Sequence, residues 1–448
     1  MGDKSIGMTK RMAEFIVDTD VSKITESVFE HAKVAFMDWL GVTLAGKDDP
    51  LVEKLLQYAD LMGGKEQATI LGRGVKKTQS QAALINGAAS HALDYDDTLL
   101  PFFGHPTVTL FPGLLALSEF RGKNGTDFLT AYVIGLKAGT VIASCAGSDH
   151  YMSGYHATST MGCLASASAC SRLLGLDEQQ TVYALGIGGT QAAGLKRVFG
   201  TMCKPFHAGR ASEAGLTAAL LAENGFTSAE DILEGPSGLF QAMKGAVNED
   251  ILSTLGQTWA IEDLAQKYHA SCHGTHSPIE AAWSIFDKEE LSVADVKSIK
   301  IHVSEFGLSA AFRIEANTGL EGKFSIPYCV ANVLLRGRGS TGLQAFTDEK
   351  VNDPKVKELM SKISAVQDSE IGGFSAKVEV EADTGKVYSG YSDIFNEIPE
   401  LNIKKKKIKD KFMGLCEPVL GSQKAQKIIK AISKIEEIRD MNSLMELL

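Results

Sequence analysis

Over about the first 260 residues the apolar positions of this chain repeat at helical spacing, one element after another, and this confines more than half of the molecule to packed helices. The stretch ESVFEHAKVAFMDWLGVTLAG shows the pattern, with Phe29, Ala32, Phe36 and Leu40 on one stripe. Two helix starts are marked by spacings of capping-box form, Asp177 with Gln180 and Thr227 with Glu230. The segment ATSTMGCLASASACSRLLG, 157–175, has helical length and many Ala, Ser and Gly residues. Its backbone can approach neighbouring helices closely, which places it in the core.

Near residue 265 the period changes. KSIKIHVSE alternates Ile299, Ile301 and Val303, and SAKVEVEA alternates Ala376, Val378 and Val380, as half-buried strands do. Helical patterns at FSIPYCVANVLL and DPKVKELMSKI lie between them, so this part reads as helices laid against an antiparallel sheet. Beyond about residue 395 the helical period returns. Ile428, Ile429, Ile432 and Ile435 share one side, which predicts a tail packed back on the first domain. A chain of 448 residues also exceeds one ordinary core. The expected fold is therefore mainly α with a smaller α+β domain: an all-helical domain over 1–265, completed by 396–448, and an α+β lid domain over 266–395.

Composition excludes several classes. A hydrophobic content of 44% and a charged content of 22% are ordinary for a globular protein. No apolar run reaches the roughly 18 uncharged residues of a spanning helix, and the opening MGDKSIGMTKRMAEF lacks the apolar stretch of a secretory signal. A cytoplasmic enzyme with no membrane partner is the expectation. A formal charge of −10 argues against nucleic acid, and the basic run Lys404 to Lys407 with Lys409 reads as a solvated linker or helix end. The cysteines Cys145, Cys163, Cys170, Cys203, Cys272, Cys329 and Cys416 contain no C-x-x-C pair, so neither a disulfide framework nor a zinc site is expected.

Four segments concentrate chemistry. SHALDYDDT (90–98) places Asp94, Asp96 and Asp97 beside a histidine, and GHP (104–106) holds His105 on a loop before another helix. Any one of these aspartates is as readily a helix cap as a functional group. Asp with His, however, is acid–base equipment, because a carboxylate orients an imidazole whose pKa suits proton transfer near neutrality. YHATSTMG (155–162) sets His156 and Thr158 at a helix start, where free N–H groups favour anions. CKPFHAGRASEAG (203–215) offers Lys204, His207 and Arg210, a cationic cluster in an acidic protein that suits an anion clamp. KYHASCHGTHSPIEA (267–281) brings Cys272, His273 and His276 together at the domain junction, without the second ligand pair or HExxH spacing of a metal site.

Taken in order, SHALDYDDT with GHP, YHATSTMG, KPFHAGRA and THSPIEA resemble the MmgE/PrpD family over nearly the whole chain. The resemblance implies a large helical domain closed by the last fifty or so residues, a smaller α+β lid, and a homodimer without metal, iron–sulfur cluster or organic cofactor. It points to Asp94, Thr98, His105, His156, Lys204, Lys267 and Tyr328 as pocket residues, Tyr328 within KFSIPYCVA, with Cys272 and His276 close by. Three departures stand out: KYHASC replaces the family's K-P-Y-P-x-C, SDHYMSG lacks an Arg usual before His156, and Cys272 falls about where the family's decarboxylases carry a histidine.

The expected activity is dehydration of a citrate-like polycarboxylate by a cofactor-independent lyase. Lys204 and Lys267 would bind carboxylates, and His105 or His156, oriented by Asp94, would move protons. Decarboxylation of a cis-aconitate-like acid and epimerisation use the same toolkit, and a decayed homologue that only binds an acid is the non-enzyme alternative. These residues are expected to converge on one cavity where the domains meet. The loop Leu99 to Phe103 would shape specificity, with Phe102 and Phe103 either lining an apolar subsite or packing.

Overall fold

The computed structural model describes residues 7–311 and 313–448, so the first six residues of the opening segment lie outside it. The chain forms two compact units. One comprises the described residues up to Ala92, Asp96–Gln266 and Glu400–Leu448, and the other comprises Leu93–Tyr95 and Lys267–Pro399. The chain thus enters the second unit for three residues inside the DYDD segment and returns.

The first unit is built from α1 (Met8–Asp18), α2 (Glu26–Gly46), α3 (Pro50–Met62), α4 (Gln79–Ala92), α5 (Thr107–Arg121), α6 (Gly125–Met152), α7 (Ala157–Leu174), α8 (Glu178–Thr190) and α9 (Cys203–Glu223). A hairpin of β1 (Ala68–Ile70) and β2 (Val75–Lys77), which the helical pattern did not signal, joins α3 to α4. Helices α4, α5, α6, α7 and α9 pack on one another, and in α7 every residue but Arg172 and Leu174 is buried. Small side chains make this possible. A Cβ on Gly135 would come within 2.4 Å of Ala169, one on Gly139 within 2.4 Å of Ala165, and one on Gly87 within 2.7 Å of the Gly209 backbone. Helix α6 is long and apolar enough to cross a membrane, yet 94% of its apolar window is buried inside the protein, as in a core helix.

Capping follows the sequence at Asp177, whose side chain and that of Gln180 form a reciprocal capping box at the start of α8. Thr227 and Glu230 do not start a helix. The chain there is loop and turn, because the spacing is not followed by an apolar stripe that could bury a helix.

In the second unit α10 (His276–Glu289), α11 (Ile326–Arg336) and α12 (Pro354–Met360) pack with a sheet of β3 (Val296–Val303), β4 (Ile363–Gln367), β5 (Ala376–Ala382) and β6 (Val387–Ser392). Strand order is β4-β3-β5-β6. Ile299, Ile301, Val303, Ala376, Val378 and Val380 are all buried, as their alternation requires. The sheet is mixed instead of antiparallel throughout: β3 pairs with β5 antiparallel but with β4 in parallel. The physical reason is the connection, since the residues between β3 and β4 form α11 and α12, a helical crossover that returns the chain in the same direction.

The tail forms α13 (Leu401–Leu420), packed on α2, and α14 (Ser422–Ile432). Ile428, Ile429, Ile432 and Ile435 are buried. The lysine run is not a solvated linker but part of α13. Lys404 is 1% exposed and donates to the Leu264 carbonyl at 3.0 Å, while Lys405 pairs with Glu30 at 2.5 Å. Burial lowers the Lys404 ammonium to about 8. Helical spacing turned one lysine of the run inward, where a backbone carbonyl receives it.

Candidate active site

In the first unit, the last turn of α4 carries His91, and the loop that precedes α5 carries Asp96, Asp97 and His105. Asp96 bridges two imidazoles: one carboxylate oxygen lies 2.9 Å from His91 Nδ1 and the other 2.9 Å from His105 Nδ1. The Asp97 carbonyl also lies 2.9 Å from His105 Nδ1. With acceptors at both Nδ1 atoms, each ring carries a proton there. Burial alone would raise the Asp96 carboxyl, but the two imidazoles and their hydrogen bonds outweigh it and hold it well below the usual carboxylate range. Asp96 therefore stays ionised.

Asp97 behaves oppositely. Burial pushes its carboxyl well above the usual value, the Thr107 hydrogen bond offsets this only in part, and the charges of Asp38 and Asp96 add to the rise. Its Oδ2 accepts from the Thr107 hydroxyl at 2.6 Å, and Thr107 in turn lies 2.9 Å from the Tyr132 hydroxyl. Asp97 is an anchor whose carbonyl aims His105.

The GHP loop is seated on the first turn of α7. The His105 N–H donates to Thr158 Oγ1 at 3.0 Å, and a Cβ on Gly104 would meet Thr158 Oγ1 at 2.6 Å and its N at 2.8 Å. Only glycine leaves room for this contact. His156, at the N-cap of α7, is 2% exposed, and its Nδ1 lies 3.0 Å from Nδ1 of His207 on α9. The His156 ring stacks at 6.3 Å from His91 and meets the Phe199 ring edge-on at 4.8 Å. Lys204, buried in the first turn of α9, sits with Nζ 5.5 Å from the centre of the same Phe199 ring. Burial, then the charges of His207, Lys204, His91 and His105, keeps His156 well below the ordinary histidine value, and so neutral. Burial with His91 and Lys204 lowers His207 to about 4.

The structure thus gathers His105, His156, Lys204 and His207 with two groups that sequence reasoning did not assign, His91 and Asp96. The imidazole-orienting carboxylate was expected at Asp94; Asp96 holds that place. Both lie in one dense segment, and the signal that separates them is conformational, since Asp94 adopts a left-handed φ of 50°. Arg210 stands apart: it is exposed and ion-paired with Glu213 on its own helix. Thr98 is buried and exchanges two 2.9 Å backbone hydrogen bonds with Ala265. Phe102 is fully buried, and a Cβ on Gly139 would come within 3.2 Å of it, so it packs. His91, Asp96 and His105 belong to a donor set of metal-binding type; the Asp96 carboxylate receives both Nδ1–H groups, which fixes the two rings.

In the second unit Lys267 donates to the Asp94 carbonyl and to its Oδ1, both at 2.9 Å, with the lysine side chain wholly buried. Tyr328 is buried and donates to the Ala345 carbonyl; burial raises its phenol. Cys272 is buried, its N–H bonded to the Lys323 carbonyl at 2.9 Å. His276, buried beside His269 and His273, donates to the Ser271 carbonyl at 3.3 Å, and burial with those neighbours keeps it well below the usual histidine value.

A helical frame that holds four imidazoles, one ionised carboxylate and a buried ammonium together has the groups that proton transfer needs. Two family models divide the chain accordingly, the MmgE/PrpD N-terminal domain over residues 10–250 and the MmgE/PrpD C-terminal domain over 269–437. The chain belongs to the MmgE/PrpD family and is a lyase. Its relatives include the cis-aconitate decarboxylase of Mus musculus, 26% identical over 98% of this chain and 93% of that protein. A cis-aconitate decarboxylase of Aspergillus terreus is 26% identical over 99% and 96%, respectively. The mitochondrial 2-methylcitrate dehydratase of Yarrowia lipolytica is 26% identical over 80% of this chain and 71% of its own length.

Proposed function

We propose that the protein dehydrates a citrate-like polycarboxylate, with His156 as base and His105 as acid. The observation that carries this reading is the contrast between the two histidines. His156 has no carboxylate on its ring and is held neutral by burial first and by neighbouring positive charge second, whereas His105 has the ionised Asp96 on its Nδ1. Dehydration needs both states together: a neutral imidazole to take a proton from the carbon beside a carboxylate, and a proton donor for the departing hydroxyl. The charge that accumulates on the substrate carboxylate is met by Lys204. A site in which one ionised carboxylate is outnumbered by four imidazoles and an ammonium carries little negative charge of its own, which suits a substrate that brings several carboxylates. Once bound, those carboxylates also raise the affinity of His156 for the proton it must accept.

Decarboxylation of a cis-aconitate-like acid is the second reading, favoured by the decarboxylase relatives that align over nearly the whole chain. It needs a proton donor to carbon after carbon dioxide leaves, and no second proton-handling group. Purified protein incubated with 2-methylcitrate, citrate, cis-aconitate and iminodisuccinate, and followed by proton NMR and carbon dioxide release, separates the readings. A new alkene from a hydroxy acid supports dehydration; gas release from cis-aconitate, with the hydroxy acids untouched, replaces it with decarboxylation.

A further inference from the structure

We propose that His207 is the proton conduit of His156, releasing a proton to solvent while His156 takes one from the substrate, so that no positive charge builds up on the buried base during the chemical step. This rests on His156 being the base. The two Nδ1 atoms are 3.0 Å apart, a distance that requires one of them to carry a proton and the other to present a lone pair. When the proton lies on His156 Nδ1, the lone pair of His156 is on Nε2, as a base requires, and His207 carries its own proton on Nε2.

The transfer then balances. His156 Nε2 takes the proton from substrate carbon; the Nδ1 proton of His156 crosses to His207 Nδ1; His207 releases its Nε2 proton to water. One proton enters the pair and one leaves. After product departs, water accepts the Nε2 proton of His156, His207 Nε2 regains one from solvent, and the shared proton returns. Burial differs along this path in the required sense, since His156 is buried and His207 on α9 is half-buried. The charged and titratable groups facing the pair are Lys204 on α9, His91 on α4 and His105 before α5, and the Lys204 ammonium disfavours an extra proton held on either ring. Gly194, with φ of 133°, keeps the loop after α8 against the pair: a Cβ there would be 3.3 Å from His207 Cε1 and 2.7 Å from the Ser159 Cβ. A conduit of this type is not the anion clamp that the sequence offered for the KPFHAG segment.

The test separates relay from positioning. In His207→Gln the amide oxygen still accepts the His156 Nδ1 proton and fixes the tautomer, but the amide passes no proton onward. Turnover should fall about tenfold or more, and added imidazole should restore it in proportion to its concentration. His207→Gln at wild-type rate, or slowed without imidazole rescue, overturns the conduit. On the wild-type chain, turnover in deuterium oxide should be slower than in water because the relayed protons are exchangeable; an unchanged rate also overturns the conduit, whether or not the variant folds. His156→Ala tests the underlying assignment separately, because full activity there removes the base itself.

Discussion

Replacing Asp96 with Asn isolates what one carboxylate does for two imidazoles. In the wild type each oxygen receives one Nδ1–H, so two charge-assisted hydrogen bonds hold the rings. An amide has the same shape but one acceptor and one donor end, so only one ring keeps its proton facing it. His105 retains the Asp97 carbonyl as an alternative acceptor, which leaves His91 the amide oxygen or a reversed tautomer. Charge-assisted bonds contribute about 1.5–3 kcal/mol each and a neutral one about 1 kcal/mol. Replacing two charge-assisted bonds by two neutral ones should therefore weaken the hold on the rings by about 1–4 kcal/mol, which at about 1.4 kcal/mol per decade lowers kcat by roughly 5- to 700-fold. Initial rates by NMR on the accepted acid, with circular dichroism to confirm the fold, give the answer. A folded Asp96→Asn protein with wild-type kcat would refute the bridge as part of the chemistry.

Lys204→Ala should raise KM and lower kcat together, since the ammonium is placed to meet a carboxylate both before and during proton removal; unchanged kinetics remove it from the site. Arg210→Ala should leave both constants within about threefold, because its exposed guanidinium is already paired with Glu213, and a tenfold rise in KM would restore it to the substrate. Asp97→Asn should raise the melting temperature at neutral pH. The wild-type carboxyl has a raised pKa in the fold, so its contribution to stability is whole below the ordinary carboxyl value of 3.8 and is lost as pH climbs through the raised value. The gap between variant and wild type should close below about pH 4, and a gap independent of pH would contradict the buried, protonated Asp97.

Much of this site could be read from residue order because its parts sit at element boundaries that the sequence marks. His156 precedes a run of small residues that must be helical and central, and Lys204 and His207 are three residues apart on one helix, so they share a face. Arg210 is six residues beyond Lys204, and its i,i+3 acid Glu213 offered a partner that a reading by charge count overlooked. The choice between Asp94 and Asp96 was closed to pattern analysis. A loop has no period, and a left-handed turn at Asp94 decides which carboxylate faces which ring. The parallel β4 was hidden for a related reason: Ile363–Gln367 is short, and its partner is set by the helical crossover before it. At Thr227 the local cap signal was real as chemistry, but no burial followed to reward a helix.

The three-residue excursion Leu93–Tyr95 separates His91 from the carboxylate that holds it. Any deletion or grafting experiment that removes the smaller unit must cut the peptide between them. The helical body cannot be harvested as an independent module without cutting the stretch that joins His91 to Asp96. Recombination among relatives should therefore exchange the smaller unit at Gln266 and Glu400 only when the short stretch after Ala92 travels with it.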